Sequence, residues 1–380
     1  MVYSFLFGEK INCDIMDKMN YSVRQFKEIN ANTDFSSYII GADIGGTNIS
    51  IGVAGIKNLK PHLLFSLDFK SQELDSLAPV VLETISYADE NYNIKIDKAC
   101  FGVAGVVDQN KDIINLTNVK WNIKKSKLIS ESGLKDIDII NDFQAVGYGF
   151  NLLDLSNKNH ILKIREEKSK YQVSKTKALI GAGTGLGKSI LIYNENLKIY
   201  LPLPSEGGHD DFPAQNEFEI ELLDFIKKSI GISQPVTYEE LLSGRGIKNI
   251  YLFIKKLQKF KTTKYTDEVD KSQDKANEIS KYKFVDDTCK ETFRLFTKYY
   301  ARCAKNFVLD SMATGGLYIA GGIAIKNKEI FNSSEFLSEF ENAYRRVDIL
   351  NKIPVYLILN NDVGLYGACL AAVQRFNIKD

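Results

Sequence analysis

Two segments of the chain share one pattern of apolar and polar positions. Residues 40–53 read IGADIGGTNISIGV, and residues 180–193 read IGAGTGLGKSILIY. Each has an apolar run, a Gly-rich turn and a run rich in β-branched residues, which predicts a strand, a tight loop and a strand. The two segments align without a gap. Because solenoid repeats have shorter periods, this self-similarity indicates two related lobes.

The second Gly-rich loop contains AGTGLGKS, which is close to the phosphate-binding motif G-x-x-x-x-G-K-S/T. A P-loop requires a helix after the loop, since the helix N-terminus holds the phosphate. After Lys188 the chain continues SILIYNENLKIYLPL, which favours a strand and lacks helical periodicity. The pattern therefore disfavours a P-loop, although the N–H groups of a Gly-rich turn can still bind an anion. On this interpretation we expect Lys188→Ala to have only a mild effect, whereas loss of the lysine of a P-loop should abolish nucleotide use.

The remaining periodicity predicts further strands and helices. A strand should end at Ile140, and residues 217–230 should form an amphipathic helix. Thr237 and Glu240 have the spacing of a capping box, which predicts a helix within 237–251. The other predicted elements are a long buried helix at 286–310, a strand, Gly-Gly turn and helix at 315–327, and a final strand followed by a small-residue helix after Asp362.

Three stretches lack this periodicity. Residues 151–177 are polar and charged, which is typical of a surface excursion, and residues 255–283 have the composition of a solvated loop or helix face. Residues 1–37 start with a short apolar stretch that no basic region precedes, so a secretory or mitochondrial signal is not expected. We interpret residues 1–37 as an N-terminal extension of unknown purpose.

Composition narrows the class of protein. A chain of 380 residues favours two domains over a single core. With 49 basic and 48 acidic residues the net charge is +1, so the chain lacks the excess of basic residues that is typical of proteins that bind nucleic acid or an anionic membrane. The five cysteines are scattered, and no apolar run approaches the length of a membrane span. We therefore expect reduced thiols in a cytosol-like compartment.

The first Gly-rich loop carries the first candidate for chemistry. Asp43 precedes Gly45, Gly46 and Thr47. One interpretation is an aspartate that stabilises the turn, which is common in hairpins. The other is a carboxylate that holds hydrated Mg²⁺ beside phosphates, with the loop amides and the Thr47 hydroxyl as donors. The residues alone leave both open, and the second Gly-rich loop favours the functional one.

Other polar side chains follow a predicted strand or lie beside glycines. Asn141 and Asp142 follow the strand IDII, where ligands bind in α/β sheets. One N-cap accounts for one of them and leaves a carboxylate that could accept a proton from an alcohol. Glu206 and His209, in SEGGH, could pack in a loop, bind a metal other than zinc or satisfy the hydroxyls of a polyol. Glu239 has no structural role that the sequence explains.

Six motifs occur in the order DIGGTN, IINDF, GAGTGLG, EGGHDDF, LSGRG and IAGGI. Each is weak alone, but together they resemble the bacterial-type ATP-dependent glucokinases of the hexokinase/actin/heat-shock-chaperone ATPase superfamily. The resemblance covers about residues 38–380. It implies an α/β, actin-like ATPase (ribonuclease H-like) fold with a ligand cleft between two domains. The small α/β domain would comprise 38–150 and 361–380, and the larger α+β domain 151–360, after the extension at 1–37.

The resemblance also implies a role for each matching residue. Asp142 matches the catalytic base, and Asp43 matches the acid that binds Mg²⁺ through water. The glucose contacts would be Asn118, Asn141, Asp142, Glu206, His209 and Glu239. The ATP contacts would be Asp43, Gly45, Gly46, Thr47, Asn48, Gly183, Thr184, Gly185, Gly321 and Gly322, of which the last two match the adenosine motif. The implied protein is a cytoplasmic homodimer that uses ATP and Mg²⁺ to make glucose 6-phosphate, the first step of glycolysis.

The chain departs from the family pattern at a few points. Lys188 follows the second loop where relatives often carry an aliphatic residue, and Arg245 in LSGRG replaces a frequent Pro. The Cys-rich zinc motif of the related repressor group is absent and the extension is short for a winged DNA-binding domain, so a sugar-responsive repressor is disfavoured. A kinase for mannose, fructose or an N-acetylated sugar remains open. Polyphosphate or ADP as the donor and a non-catalytic actin-like ATPase also remain open.

Overall fold

The computed structural model describes residues 19–26, 34–108, 110–116, 119–166 and 174–378. The strands are β1 (Tyr21–Gln25), β2 (Ser37–Ile44), β3 (Asn48–Lys57), β4 (Lys60–Lys70), β5 (Lys98–Val103), β6 (Ile113–Asn115), β7 (Asn122–Lys124), β8 (Asp136–Asn141), β9 (Ile161–Arg165), β10 (Lys177–Ala182), β11 (Leu186–Asn194), β12 (Ile199–Ser205), β13 (Leu317–Ala320) and β14 (Val355–Ile358). The α-helices are α1 (Ala78–Tyr92), α2 (Lys125–Ser132), α3 (Asp142–Gly149), α4 (Glu217–Ile230), α5 (Gly244–Lys256), α6 (Lys264–Lys271), α7 (Lys275–Tyr282), α8 (Asp287–Ser311), α9 (Gly322–Lys326), α10 (Lys328–Phe331), α11 (Ser334–Glu341), α12 (Val347–Leu350) and α13 (Val363–Arg375).

Two large sheets have the same strand order. In the first sheet β4, β3, β2, β5 and β8 lie side by side, with β2, β5 and β8 parallel and β2, β3 and β4 antiparallel. In the second sheet β12, β11, β10, β13 and β14 repeat this order and these directions. β1 joins the outer edge of β4, and β9 joins the outer edge of β14. The predicted relation between the two segments is confirmed in their topology.

The two Gly-rich hairpins differ in length. Ala42 pairs with Ile51 in the first hairpin, whereas Ala182 pairs with Leu186 in the second. The Gly-Thr-Gly turn closes the second hairpin early, while the first extends further before it turns. The gap-free alignment of the two segments is therefore correct for the first strand of each hairpin and wrong for the second strand.

Helices α3 and α13 lie between the two sheets. Alternate residues of β2 face opposite layers, so that Ile40 packs on the side of α1 and Ile39 on the side of α13. α3 contacts β5 of the first sheet and both β11 and β12 of the second. The chain returns from the second sheet to the first between the end of β14 at Ile358 and the start of α13 at Val363. This return forms one wall of the space between the sheets.

The second sheet is covered by a helical layer in which α8 is the longest member. Arg302 of α8 and Glu219 of α4 are each 1% exposed and form two parallel hydrogen bonds of 2.8 and 2.9 Å. A buried bidentate pair of this kind fixes the relative position of its two helices. Both helices agree with the predictions for residues 217–230 and 286–310.

The capping box predicted at Thr237 is wrong. The backbone of Thr237 instead forms a β-bridge with Asp211, and the Tyr238 amide donates to the Asp210 carbonyl at 2.9 Å. These long-range bonds hold residues Tyr238–Glu240 in a single 3₁₀ turn. Helix α5 begins only after Ser243, whose hydroxyl accepts from the third amide of the helix. The spacing of Thr237 and Glu240 is that of a helix cap, but the pairing of this segment with Asp210 and Asp211 determines its conformation instead.

The three aperiodic stretches contain more structure than the sequence indicated. The stretch 151–177 was expected to be a surface excursion, yet it contributes β9, whose sequence ILKIR is too short to stand out. The polar stretch 255–283 is largely helical and forms α6 and α7, and the extension contributes β1.

Among the described residues, Cys100, Cys289, Cys303 and Cys369 are buried thiols without a disulfide. In this part of the chain, no helix is both long and apolar enough to span a bilayer.

Candidate active site

One polar cleft of about 450 Å³ lies where the parallel strands of both sheets end. The lining includes a residue at or just after the end of each of the six parallel strands: Asp43, Ala104, Asn141, Ala182, Gly321 and Asn360. The cleft also brings together the predicted side chains Asp142, Glu206, His209 and Glu239. The predicted Asn118 lies outside the described residues. Ligand sites at the carboxyl ends of parallel strands are the rule in α/β folds.

Asp43 lies near the end of β2 and packs against the first turn of α13. A Cβ atom on Gly364 of that turn would lie 2.5 Å from Asp43 Oδ2, so the close approach requires glycine. Burial, followed by the negative charge of Asp362, raises the pKa of Asp43 to about 6. A cation bound beside Asp43 would counter this shift, because an opposite charge favours the ionised carboxylate.

The rest of the first loop is divided between the cleft and the solvent. Gly45 and Gly46 line the cleft, and the Gly45 amide donates to the Asn48 carbonyl at 3.0 Å. Thr47 and Asn48 are exposed at the tip of the hairpin and are not part of the cleft lining. The Asn48 side chain accepts a hydrogen bond from Lys70 at 2.8 Å. The geometry thus places Gly45 and Gly46 nearer a cleft ligand than Thr47 and Asn48.

The second loop, Gly183, Thr184 and Gly185, faces the cleft from the other sheet. The Gly183 carbonyl accepts from the Gly244 amide at the start of α5, at 2.9 Å, which anchors the loop to the helical layer. The loop is followed by β11, which pairs antiparallel with β10 along its whole length. The structure therefore excludes the P-loop arrangement, as the sequence predicted.

Lys188 does not line the cleft. Its side chain is 4% exposed, and its Nζ atom lies 3.1 Å from Asp210 Oδ2 and above the rings of Tyr238 and Phe307. The side chain packs beneath the turn that carries Glu206 and His209. Any effect of replacing Lys188 should therefore fall on that turn rather than on a phosphate group.

Asn141 and Asp142 serve both of the roles that the sequence left open. Asn141 is the N-cap of α3, since its Oδ1 accepts from the amides of Phe143 and Gln144 at 2.9 and 3.1 Å. Asp142 begins the helix, is only partly exposed and lines the cleft. Burial and then the negative charge of Asp43 raise the pKa of Asp142 to about 7, although the Phe143 amide partly offsets this.

Glu206 and His209 lie on the turn after β12, opposite Asp142. The His209 Nε2 and Glu206 Oε2 atoms are 3.9 Å apart, and both side chains are more than half exposed. No group of three or more metal-binding side chains occurs among the described residues, so this turn does not form a preassembled metal site in that part of the chain. Two exposed polar groups at the open side of a cleft are suited to bind hydroxyls of a ligand.

Glu239 has a structural role that sequence reasoning missed. Its Oε2 accepts from the Leu186 amide at 2.9 Å, and its Oε1 accepts from Arg245 at 2.7 Å. Arg245 also contacts Glu240 at 3.1 Å. The carboxylate therefore ties the end of the second Gly-rich loop to the start of α5 while it lines the cleft. Arg245, which stands where relatives often carry Pro, therefore holds the side chain of Glu239, one of the predicted sugar-binding residues, in place.

Gly321 and Gly322 form the turn between β13 and α9. Gly321 has φ = 92°, and a Cβ there would lie 2.6 Å from the Ala182 carbonyl oxygen, so a side chain is excluded on both grounds. A Cβ on Gly322 would meet no atom within 4 Å. The turn thus leaves open space beside the second Gly-rich loop, where a planar ligand group could lie.

Some cleft residues were not singled out from the sequence. Gly105, after β5, accepts from Asn141 Nδ2 at 3.2 Å and so orients that side chain. Asn360 and Asn361 line the cleft where the chain returns from β14 to α13. A signal was available for both positions, because each polar or glycine-containing segment directly follows an apolar strand.

Two sheets of equal topology, with a helix pair between them and two Gly-rich hairpins at one cleft, define a protein of the actin-like ATPase fold. A family model described as Glucokinase matches residues 40–375. The chain therefore belongs to the glucokinase family, and it is an ATP-dependent sugar kinase. The fold class and the family resemblance inferred from the six motifs are confirmed.

Individual relatives agree with this assignment. A glucokinase of Nostoc sp. is 35% identical over 351 residues, which cover 88% of this chain and 99% of the relative. The structure of a glucokinase from an Antarctic psychrotroph has a TM-score of 0.70 at 25% identity and covers 89% of this chain and 99% of its own. A ROK family glucokinase from Streptomyces griseus, in complex with glucose and AMPPNP, shares the fold with a TM-score of 0.57 at 19% identity, over 89% of this chain and 100% of its own.

Proposed function

We propose that this chain transfers the γ-phosphoryl group of ATP to the 6-hydroxyl of glucose, giving glucose 6-phosphate and ADP. The observation that carries the proposal is the position of Asp142 at the start of α3, in a cleft that both Gly-rich hairpins line. Its pKa of about 7 suits a group that must accept a proton near neutral pH. Asp142 would orient the hydroxyl and take its proton as the phosphoryl group is transferred.

The two Gly-rich hairpins would bind the phosphates of ATP from opposite sides. Phosphoryl transfer depends on positioning and charge stabilisation more than on covalent help from the protein. The amides of Gly45 and Gly46 and those of Gly183 to Gly185 would supply donors, and the open turn at Gly321 and Gly322 would accept the adenosine. Asn141, Glu206, His209 and Glu239 would bind the remaining hydroxyls of the sugar. Thr47 and Asn48 could contribute only through a movement of the hairpin tip.

The residues at Asp43 fit Mg²⁺. Mg²⁺ keeps several waters and is held by one or two carboxylates together with substrate phosphates, so a multi-carboxylate cage is not required. Asp43 is a single half-buried carboxylate next to a Gly-rich loop, and its raised pKa marks a site where a cation would be favourable. Mg²⁺ would supply neutralisation of the phosphate charge.

Closure of two lobes would complete the site. We propose a small lobe of residues 38–150 and 361–380 and a large lobe of residues 151–360, with β1 from the extension added to the small one. Glu206, His209 and Glu239 would then approach Asp142 from the large lobe and exclude water from the phosphoryl group. The glucose and AMPPNP bound in the Streptomyces griseus structure support these ligand classes. The cytoplasmic homodimer expected from the resemblance remains part of the proposal.

Sugar-dependent ADP production tests the proposal. With MgATP, we expect turnover with glucose to exceed that with mannose, fructose or N-acetylglucosamine. A higher kcat/KM for another hexose would reassign the substrate. ATP hydrolysis that is independent of any sugar would favour an actin-like ATPase that does not phosphorylate a sugar. Replacing ATP by ADP or polyphosphate in the same assay tests the donor.

A further inference from the structure

Strand β1 lies outside the family model, which begins at residue 40. It adds a sixth strand to the first sheet by pairing antiparallel with β4, from Tyr21 opposite Phe69 to Gln25 opposite Phe65. This strand is therefore an addition to the part of the chain that the family model defines. Its side chains nevertheless reach into that part, next to the cleft.

The guanidinium group of Arg24 joins three elements of the first sheet unit. It binds Asp68 of β4 through two hydrogen bonds of 2.7 and 3.1 Å and the Ser50 hydroxyl of β3 at 2.9 Å. Its third nitrogen donates to Asp362 Oδ1 at 2.5 Å. The planar fork of arginine suits this bidentate anchoring and leaves the Nη1 nitrogen free to donate elsewhere, and the Asp68 pair fixes the direction of that nitrogen.

A second contact of β1 reaches the same helix. Phe26, directly after β1, packs edge to face against Tyr366 of α13, with 6.1 Å between the ring centroids. Tyr366 is one helical turn after Asp362, and its amide donates to the Asp362 carbonyl at 2.9 Å. Arg24 and Phe26 thus hold the first turn of α13 at two points.

That first turn forms part of the cleft. Asp362 is the N-cap residue of α13 and follows Asn360 and Asn361, which line the cleft. Two residues later, Gly364 packs against Asp43. The charge of Asp362 also raises the pKa of Asp43, so the ion pair with Arg24 reduces the repulsion between these two carboxylates. The contacts of β1 therefore act on the phosphate side of the cleft.

We propose that Arg24 is a positioning residue for the nucleotide: it braces the return from β14 to α13 and thereby holds Asp43 and the first Gly-rich loop in their phosphate-binding arrangement. This inference rests on the proposed function, because it assigns the nucleotide phosphates to that loop. The sugar side of the cleft, which includes Glu206, His209 and Glu239, belongs to the second sheet unit, whereas the hydrogen bonds of Arg24 and the ring contact of Phe26 go to β3, β4 and α13. The effect of Arg24 is therefore specific to the nucleotide.

The test is Arg24→Gln, which removes the charge and the fork but keeps a side chain of similar length. We expect kcat/KM for ATP to fall about fivefold to tenfold, which corresponds to the net contribution of one typical hydrogen bond, with the affinity for glucose within about twofold of the wild type. Arg24→Lys, which keeps the charge, should restore part of the loss. Val23→Ala, at the exposed position before it on β1, is the matched control and should behave as the wild type.

A double-mutant cycle separates positioning from general stability. If Arg24 acts through Asp362, then Arg24→Gln should add little to the effect of Asp362→Asn on kcat/KM for ATP. Three results would each overturn the inference: full additivity of the two effects, a parallel fall in glucose affinity, or kinetics of Arg24→Gln that match those of Val23→Ala.

Titration with a fluorescent ATP analogue provides a readout without turnover. A wild type that binds the analogue but does not phosphorylate glucose refutes the proposed function, whereas unchanged analogue binding in Arg24→Gln refutes this inference.

Discussion

Replacing Asp142 by Asn should abolish most activity and at the same time stabilise the protein. The amide keeps the size of the carboxylate and can still accept from the Phe143 amide, the bond that measures 2.7 Å in the wild type. It cannot accept the proton of a hydroxyl, so kcat should fall about 10²- to 10⁴-fold, the range for loss of a general base. It also removes a charge that burial and Asp43 make unfavourable in the folded state.

The magnitude of the stabilisation follows from the pKa of Asp142. The shift from 3.8 to about 7 sets an upper limit of about 4 kcal/mol at 1.36 kcal/mol per pKa unit. Part of the shift belongs to the interaction with Asp43, and the side chain keeps some water, so we expect about 2 kcal/mol. Near pH 4 the carboxyl is protonated in the folded state and only about half ionised in the unfolded state, so the substitution should have a small effect. As the pH rises, the unfolded state ionises first, so the advantage of the variant should grow until about pH 7 and then stay constant.

Denaturant unfolding of both proteins from about pH 4 to about pH 8 measures this dependence, alongside kcat at saturating substrates. The matched control is Asp136→Asn, which changes an exposed aspartate at the other end of β8 and should alter stability by less than about 0.5 kcal/mol. A variant at position 142 that is no more stable than the wild type at pH 8 would refute the burial argument. Retention of near-normal turnover would refute the assignment of the base.

Three further substitutions test other parts of the structure. Lys188→Met keeps the buried volume but loses the bond to Asp210 beneath the turn that carries Glu206 and His209. If that turn binds the sugar as proposed, KM for glucose should rise several-fold while KM for ATP stays unchanged; a nucleotide defect would revive the P-loop interpretation. The methyl group that Gly183→Ala adds would have no protein atom within 4 Å, so thermal unfolding should show no loss of stability. Because the methyl group would project into the space where phosphate is proposed to bind, steady-state kinetics should show weaker use of ATP. Glu219→Gln leaves the buried Arg302 with only the longer 3.4 Å contact to Glu339 as an ion pair, so urea unfolding should show a loss of up to about 3 kcal/mol with kcat retained at low temperature.

The parts of the fold that the sequence predicted are those with local signals. β2, β3 and β10 combine apolar runs with glycines at the turns, and α4 and α8 have long periodic faces. The edge strands β1 and β9 were missed because each is short and half-exposed, and each is defined by a partner far along the chain. β9 pairs with β14, for example, and neither segment indicates this pairing by itself. The failed cap at Thr237 has the same origin.

The site was predicted to a similar extent and for the same reason. Polar residues that follow apolar strands, such as Asn141 and Asp142, could be placed at the sheet edge by the geometry of parallel strands alone. The bonds from Glu239 to Leu186 and Arg245 could not, because they join three segments whose positions are set only by the complete fold. Sequence reasoning therefore identified many of the groups that line the cleft, but not which of them hold one another in place.

The two hairpins show why AGTGLGKS resembles a P-loop without being one. Asp43 and Gly183 occupy the same position, one residue past the paired alanines Ala42 and Ala182, at the end of equivalent strands. The first hairpin carries a carboxylate there, whereas the second has a glycine that no protein contact requires and that leaves the space in front of it open. A second carboxylate at this position would add negative charge where phosphate is proposed to bind. On the proposed function, the repeated fold would therefore provide backbone amides from both sides, and the difference at this one position would place the cation on one side only.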